Sequence, residues 1–389
     1  MAGLLLGLVH CEGRRDAGNT PPAEPPAAAS AEVPWTPDWP MSRGGGRLNG
    51  RVAGPAPRQP VIEWTFQNTA AITSEAAIAE GLIVFGDTEG GIQAVEVATR
   101  KRRWQVATKD AVEATPAIAG GRVFAGSNDG VFRALDVGDG HLLWSIEGGD
   151  KFPTGATLTT GPDASGPVLL VNGYDGVSHC LRPADGSEVW RHETNDYING
   201  SPVLLDGGRI AFGGCDARLH MLLLKDGSAV GELESEAQII RSLAAWGRTL
   251  YGVNYANQLL AAAWDASGPA WLYEADGNQF LTSPAADEER VYVGCRDKHL
   301  YAVDRLTGKL RWKFKTGGRV ASAPLVFDDA VVFGSSDGRL YAVAVADGME
   351  LWRLELGEDL AVAPSHAGGR IVIGGGEGTL FVIRGGAAR

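Results

Sequence analysis

Seven acidic residues recur through the 389-residue chain at one place in a repeating pattern: Glu89, Asp129, Asp175, Asp216, Asp297, Asp337 and Glu377. Ala256 stands where an eighth would fall. Carboxylates gathered on one face could hold a metal ion or a cationic ligand. They could equally cap the N–H groups of their own turns, and five of the seven precede a glycine, as tight turns favour. His179 and His220 occupy equivalent places in neighbouring repeats. Equivalent positions on packed sheets lie about 10 Å apart, too far to share one ion, so both read as packing histidines. The cysteines are Cys11, Cys180, Cys215 and Cys295. None is adjacent to another and no CxxC occurs, so the zinc-ribbon, c-type haem and vicinal-disulfide patterns are missing. Cys215 and Cys295 fall in equivalent turns two repeats apart, beyond the roughly 7 Å Cα limit for a bridge, and read as free thiols.

A repeat must position these groups. Tryptophans recur as Trp64, Trp104, Trp144, Trp190, Trp271, Trp312 and Trp352, at intervals of 40, 40, 46, 81, 41 and 40. The interval of 81 spans two repeats: DGSAVGEL (226–233) aligns with DGSEVWRH (185–192) and puts Gly231 at the missing tryptophan. Eight tryptophan positions and eight turn positions therefore run in step. Each unit reads as four strands. The first follows a Ser/Thr/Ala-Pro step such as Thr115-Pro116 or Ser201-Pro202, and the second is a β-branched run such as Arg290–Val293. The third alternates, as in Arg339–Val345, and the fourth carries the tryptophan after a glycine hairpin such as Leu306-Thr307-Gly308. Four strands per forty residues, repeated eight times, predict an all-β, eight-bladed β-propeller over residues 61–389. The last unit stops before its tryptophan strand, and the first tryptophan strand, residues 61–66, lacks three strands before it. The N-terminal strand is expected to complete the last blade and remove the free edges. The tryptophans read as docking residues between blades, and Gly231 predicts a weak seam.

The formal net charge of -12 argues against nucleic acid as the main partner, because neutralising phosphates takes clustered Lys and Arg. The one dense basic run, Arg100 to Arg103, reads as a solvated hairpin. Residues 12–60 read as a Pro/Ala/Gly-rich tether and leader. Residues 2–9 are apolar but fall short of the roughly 20 needed to span a membrane. The stretch LVHC is similar to the processing site of bacterial lipoproteins, with Cys11 as the lipidated residue. His10 departs from the small residue preferred there, and no basic residue precedes the apolar run. The other reading is a cytoplasmic chain with an apolar start.

The pattern G-S-x-D-G-x-L-Y-A-x-D-x-x-T-G-x-x-x-W, clearest at Gly294–Trp312 and Gly334–Trp352, resembles the pyrroloquinoline-quinone-like propeller repeat. Residues 38–50, DWPMSRGGGRLNG, are similar to the leader of bacterial proteins of this type. The repeat is shared by catalytic quinoproteins and non-catalytic scaffolds. In size and blade number the chain is nearer to the propeller lipoproteins of the outer-membrane barrel-assembly machinery. That likeness implies a monomeric, cofactor-free scaffold that binds another protein in the periplasm or on the outer membrane. Its link to the membrane would be a lipid on Cys11. The alternatives are another extracytoplasmic ligand-binding propeller or a quinone-dependent dehydrogenase, and the latter implies a vicinal disulfide under the quinone and long pocket-building insertions. The chain has neither, its repeats being 40 to 46 residues long. A partner surface is expected on the loops into the first strands, which carry Glu113, Lys151, Phe152, Tyr197, Asn199, Arg241, Phe280, Arg319 and Asp359. Tyr197, Arg241, Phe280 and Arg319 stand out, being of types enriched at interfaces.

Overall fold

The computed structural model describes residues 38–161, 166–265 and 268–386; Cys11 lies outside them. Among these residues, eight four-stranded antiparallel sheets form the blades. Their first strands begin at Ala77, Ala117, Thr157, Val203, Ala244, Ala285, Leu325 and Ser365, which number the blades 1 to 8. These first strands are innermost, and those of blades 8 and 1 lie side by side, so the ring is closed. The eighth sheet takes its outer strand from Pro60–Gln67, which pairs with Thr379–Gly385 and sets Trp64 opposite Val382. The closure read from residues 61–66 is present.

The hydrophobic cores lie between blades. One cluster joins Leu170, Cys180 and Trp190 of blade 3 to Ile210, Phe212 and Leu222 of blade 4. Another joins Tyr292 and Trp312 of blade 6 to Phe333 and Tyr341 of blade 7. Each blade thus buries its faces on its neighbours, as expected of a repeat array.

Five tryptophans reach across these seams in the same way. The Nε1 groups of Trp104, Trp144, Trp190, Trp271 and Trp312 donate to the carbonyls of Val137, Pro183, Leu224, Arg305 and Val345 in the next blade, at 2.8–3.1 Å. Each indole lies on the hairpin glycine of that blade, Gly140, Gly186, Gly227, Gly308 or Gly348. Those glycines have φ between 68° and 78°, and a Cβ on them would come within 2.6–2.8 Å of the ring. Glycine is needed there for both reasons.

Gly231 pairs with Met221, the place where Trp190 pairs with Cys180, so it does hold the lost tryptophan position. The seam is not left open. Trp264 of blade 5 packs on the cluster shared by blades 4 and 5. Its ring is flanked by the guanidiniums of Arg209 from blade 4, at 4.5 Å, and Arg248 from blade 5, at 5.0 Å.

Residues 38–59, read from sequence within a tether and leader, run through the centre of the ring. The inner strands leave their central edges unpaired, and the leader takes up those N–H groups. Ile78, Ile118, Leu204, Ala245, Ala286 and Val326 donate to the carbonyls of Trp39, Pro40, Gly46, Arg47, Asn49 and Gly50, at 2.7–3.1 Å. Six of eight blades are joined to one segment in this way. The passage is tight: a Cβ on Gly46 would meet the Leu204 side chain at 2.3 Å. The far end is fixed to blade 7, where Asp329 accepts from Ala56 N at 2.8 Å and pairs with Arg58 at 3.1 Å.

His366, on the inner strand of blade 8, packs edge-on against Phe327 at 5.2 Å. Burial pulls its imidazole down to about 4. The unfolded chain takes up this proton near pH 6.5 and the folded one only near pH 4, so stability falls as pH falls through that window. The loss at this site is about 3 kcal/mol at the acid end. His366→Phe should flatten the urea midpoint between pH 6.5 and 4 relative to the unaltered protein.

Candidate functional site

The loops into the inner strands and the turns between second and third strands share one face. In every blade a turn N–H donates to a loop carbonyl: Thr88 to Ala71, Asn128 to Ala111, Tyr174 to Lys151, Cys215 to Tyr197, Tyr255 to Gln238, Arg296 to Gln279, Ser336 to Arg319 and Gly376 to Asp359, all at 2.7–3.0 Å. The alternation that follows fixes what the loop residues can do. Lys151, Tyr197, Arg319 and Asp359 occupy the carbonyl position on the rim, and their side chains reach solvent. The next position, Ile72, Val112, Phe152, Ile198, Ile239, Phe280, Val320 and Leu360, is buried in all eight blades.

Phe280 and Phe152 therefore do not belong to a surface. Phe280 is fully buried and packs edge-on against Tyr301 at 5.7 Å. Its interface role, expected from residue type, is corrected by the alternation of the loop. Asn199 is spent on the fold, donating to Ile239 O at 2.8 Å and to Cys215 Sγ at 3.0 Å. Arg319 is exposed and paired with Asp359 at 3.2 Å, on blades 7 and 8. Tyr197 and Arg241 are exposed on the adjoining blades 4 and 5.

Around Tyr197 the structure gathers groups the sequence reading passed over. Tyr174 stacks on Tyr197 with centroids 4.3 Å apart and planes 6° apart, and Lys151 Nζ lies 4.4 Å from the Tyr174 centroid. Tyr255 is 58 % exposed, in a turn of the same blade as the loop that carries Arg241. Tyr174, Cys215 and Tyr255 occupy the same turn position in blades 3, 4 and 5. Aligning that turn position across units would have found the two tyrosines.

Inside this rim the ring opens into a funnel of about 400 Å3, with Glu113 and Arg241 at its mouth and Ser42, Arg43 and Glu75 at its base. Glu75 stands where other blades carry Ser, Thr, Gly or Ala before the inner strand. Its carboxylate accepts from Trp39 Nε1 at 2.6 Å, from Arg43 N at 3.0 Å and from Ser42 Oγ at 3.4 Å. Burial pushes this carboxyl upward, while the Arg43 charge and these donors oppose the rise. With donors on both oxygens, the group is suited to the ionised form. Arg43 has φ 55°, is 4 % exposed, and donates to the carbonyls of Ala323 and Pro324. The leader thus closes the funnel from below.

The turn carboxylates are spent on their own blades. Asp129, Asp175, Asp216 and Asp297 each accept from the N–H two residues on, at 3.1–3.2 Å. Their second oxygens, and that of Asp337, bond neighbouring loops or the third strand: Arg133 to Asp129, His220 to Asp216, Tyr301 to Asp297 and Tyr341 to Asp337. Glu89 and Glu377 do not cap. Asp87 and Glu358 accept from the turn N–H groups of those blades instead, and Asn254 does so where Ala256 lacks the acid. His179 pairs with Glu188 of its own blade at 3.2 Å, and His220 stacks on Phe212 at 5.3 Å and meets the His192 ring of blade 3 at 6.3 Å, so both are packing histidines. Cys180, Cys215 and Cys295 are free thiols. Burial pushes Cys180 and Cys295 up to about 12, far from nucleophilic. Among the described residues, Asp136, Asp139 and His141 have ligand atoms within 4.8 Å of one another, on a hairpin of the opposite face. Asp139 already bonds His141 Nδ1 at 2.7 Å.

Three comparisons bear on this architecture. No curated protein matches the sequence. The fold is similar to the crystal structure of BamB from Moraxella catarrhalis, with TM-score 0.69 and 18 % identity, covering 85 % of this chain and 99 % of that one. It is also similar to the computationally designed Ika8 protein, with TM-score 0.68 and 17 % identity, covering 81 % of this chain and 96 % of that one. The family described as outer membrane protein assembly factor BamB matches residues 48–271 and 247–389, spanning every blade, and the chain belongs to that family.

Proposed function

We propose that this chain is a non-catalytic scaffold of the bacterial cell envelope that binds another protein during outer-membrane protein assembly. The observation that carries this reading is the rim of blades 3 to 5. Tyr197 is 44 % exposed and Tyr255 58 % exposed, beside Lys151 and the exposed Arg241. Exposed aromatics next to arginine are the residue types on which protein interfaces concentrate binding energy. The match to the family described as outer membrane protein assembly factor BamB supplies the context of assembly.

Two experiments test it. Tyr197→Ala with Arg241→Ala should reduce capture of the barrel-assembly proteins from outer-membrane extracts by at least tenfold, each substitution costing about 1–2 kcal/mol or more. Arg319→Ala, on the far side of the ring and already paired with Asp359, should change capture less than threefold. Equal capture by all variants would move the surface elsewhere. The scaffold is held to the membrane by a lipid on Cys11, and Cys11→Ser should shift the protein from the membrane fraction to the soluble one. Mass spectrometry of an unmodified Cys11 in the mature protein would overturn the anchor.

A further inference from the structure

The rim divides by charge. The connections that leave blades 3, 4 and 5 each carry two exposed acids: Glu193 and Asp196, Glu234 and Glu236, Glu274 and Asp276. Glu193, Glu234 and Glu274 hold the same place, at the end of the fourth strand and opposite the first residue of the third. In blade 6 that place is taken by Lys315, beside a turn that carries Arg296 and Lys298. Glu193 lies 3.7 Å from Arg191; among the described residues the other five acids have no ion pair. The cations inside this sector are engaged. Arg218 pairs with Glu232 at 2.5 Å, Arg241 donates to the carbonyls of Ile240 and Leu281, and Lys151 rests on Tyr174. Tyr197 follows Asp196 directly, and the Tyr255 N–H is bonded to Gln238 O in the loop of Glu236. The Lys151 contact shows that the Tyr174–Tyr197 stack accepts an ammonium. Unpaired carboxylates on three neighbouring blades, set among exposed aromatic rings, are complementary to lysine and arginine side chains.

We propose that this sector takes an extended, lysine- or arginine-bearing segment of the partner protein, with its cations against the carboxylates of blades 3 to 5 and the ring of Tyr197. The proposal rests on the scaffold reading and names the chemistry of the partner. An extended chain advances about 3.3 Å per residue, so eleven residues cover about 36 Å and reach acids of neighbouring blades.

Fluorescence anisotropy on the full chain would use two labelled eleven-residue peptide amides, one alternating lysine with alanine and one alternating glutamate with alanine. The lysine peptide should bind in about 50 mM salt at least tenfold more tightly than the glutamate peptide, and should weaken at least threefold in about 300 mM. Glu234→Gln with Glu236→Gln, Glu274→Gln and Asp276→Asn should keep the melting temperature and lower that affinity about tenfold. Asp139→Asn with Asp185→Asn, Asp226→Asn and Asp347→Asn removes the same charge from exposed hairpins of the opposite face and should change it less than twofold. Equal loss in the two quadruple variants would mean attraction to net charge alone and would overturn the proposal. So would equal binding of the two peptides, no loss in the rim variant, or no binding of the lysine peptide up to about 1 mM. A dimer at low salt that the rim variant dissolves, without peptide binding, would overturn it in favour of a second copy, whose Arg296, Lys298 and Lys315 supply the cations. Capture still lost in the Tyr197→Ala, Arg241→Ala protein while the peptide fails to bind would strike this proposal and leave the scaffold reading. Peptide binding with unchanged capture would do the reverse.

Discussion

Glu75→Gln is expected to lower the stability of the propeller by about 3–5 kcal/mol, read as a shift of the urea midpoint at unchanged slope. The reason is the company the carboxylate keeps. Trp39 Nε1, Ser42 Oγ and Arg43 N all donate to it, and the buried Arg43 is its counter-charge. Glutamine preserves the volume but turns an NH2 group toward at least one of those donors. It also removes the negative charge near a guanidinium of 4 % exposure, leaving it only the carbonyls of Ala323 and Pro324. Removing one of two opposite buried charges is costly even where they do not touch, whereas replacing both by apolar groups often is not. Arg43→Met combined with Glu75→Leu should therefore recover most of the loss. A Glu75→Gln protein as stable as the original would mean that the leader does not depend on this carboxylate.

The second large effect is expected at Trp264. Trp264→Ala should cost about 2–4 kcal/mol, by removing the indole from the shared core of blades 4 and 5 and the two guanidiniums from its faces. Gly231→Trp alone should leave the melting temperature within about a degree. Its Cβ would lie 3.0 Å from Met221 Cε, the mobile end of a flexible side chain. On the Trp264→Ala background the same change should restore part of the loss, because the seam then regains an indole. If Trp264→Ala proves neutral, the seam is held by Met221, Leu219 and Leu233 without it.

The blades and their closure were legible because they repeat. One register slip would have broken the agreement between eight tryptophan positions and eight turns, so the count checked itself. Phe280 shows where residue type misled. Its column is apolar in all eight units, from Ile72 to Leu360, and that uniformity was the signal of burial. The funnel was not legible. Trp39, Ser42 and Arg43 occur once each in a segment without repeats, and Arg43 meets Pro324 across 281 residues. Glu75 did carry a trace, as an acid in a column of small residues. The substitution of Trp264 for the missing tryptophan was hidden because the indole comes from the opposite side of the seam, out of step with the repeat.

The threaded leader also sets the order in which the molecule can be finished. Residues near the start of the chain are bonded to the last-made blades: Arg43 to Pro324, Glu63 to Arg370, and Pro60–Gln67 to Thr379–Gly385. Neither the leader nor the first strand can find its full set of partners until nearly the whole chain has left the ribosome or the translocon. Contacts this distant in sequence make folding slow, and the open edge of blade 8 stays exposed to other chains meanwhile. A C-terminal truncation that removes Thr379–Gly385 should therefore act on yield and aggregation before it acts on any binding surface.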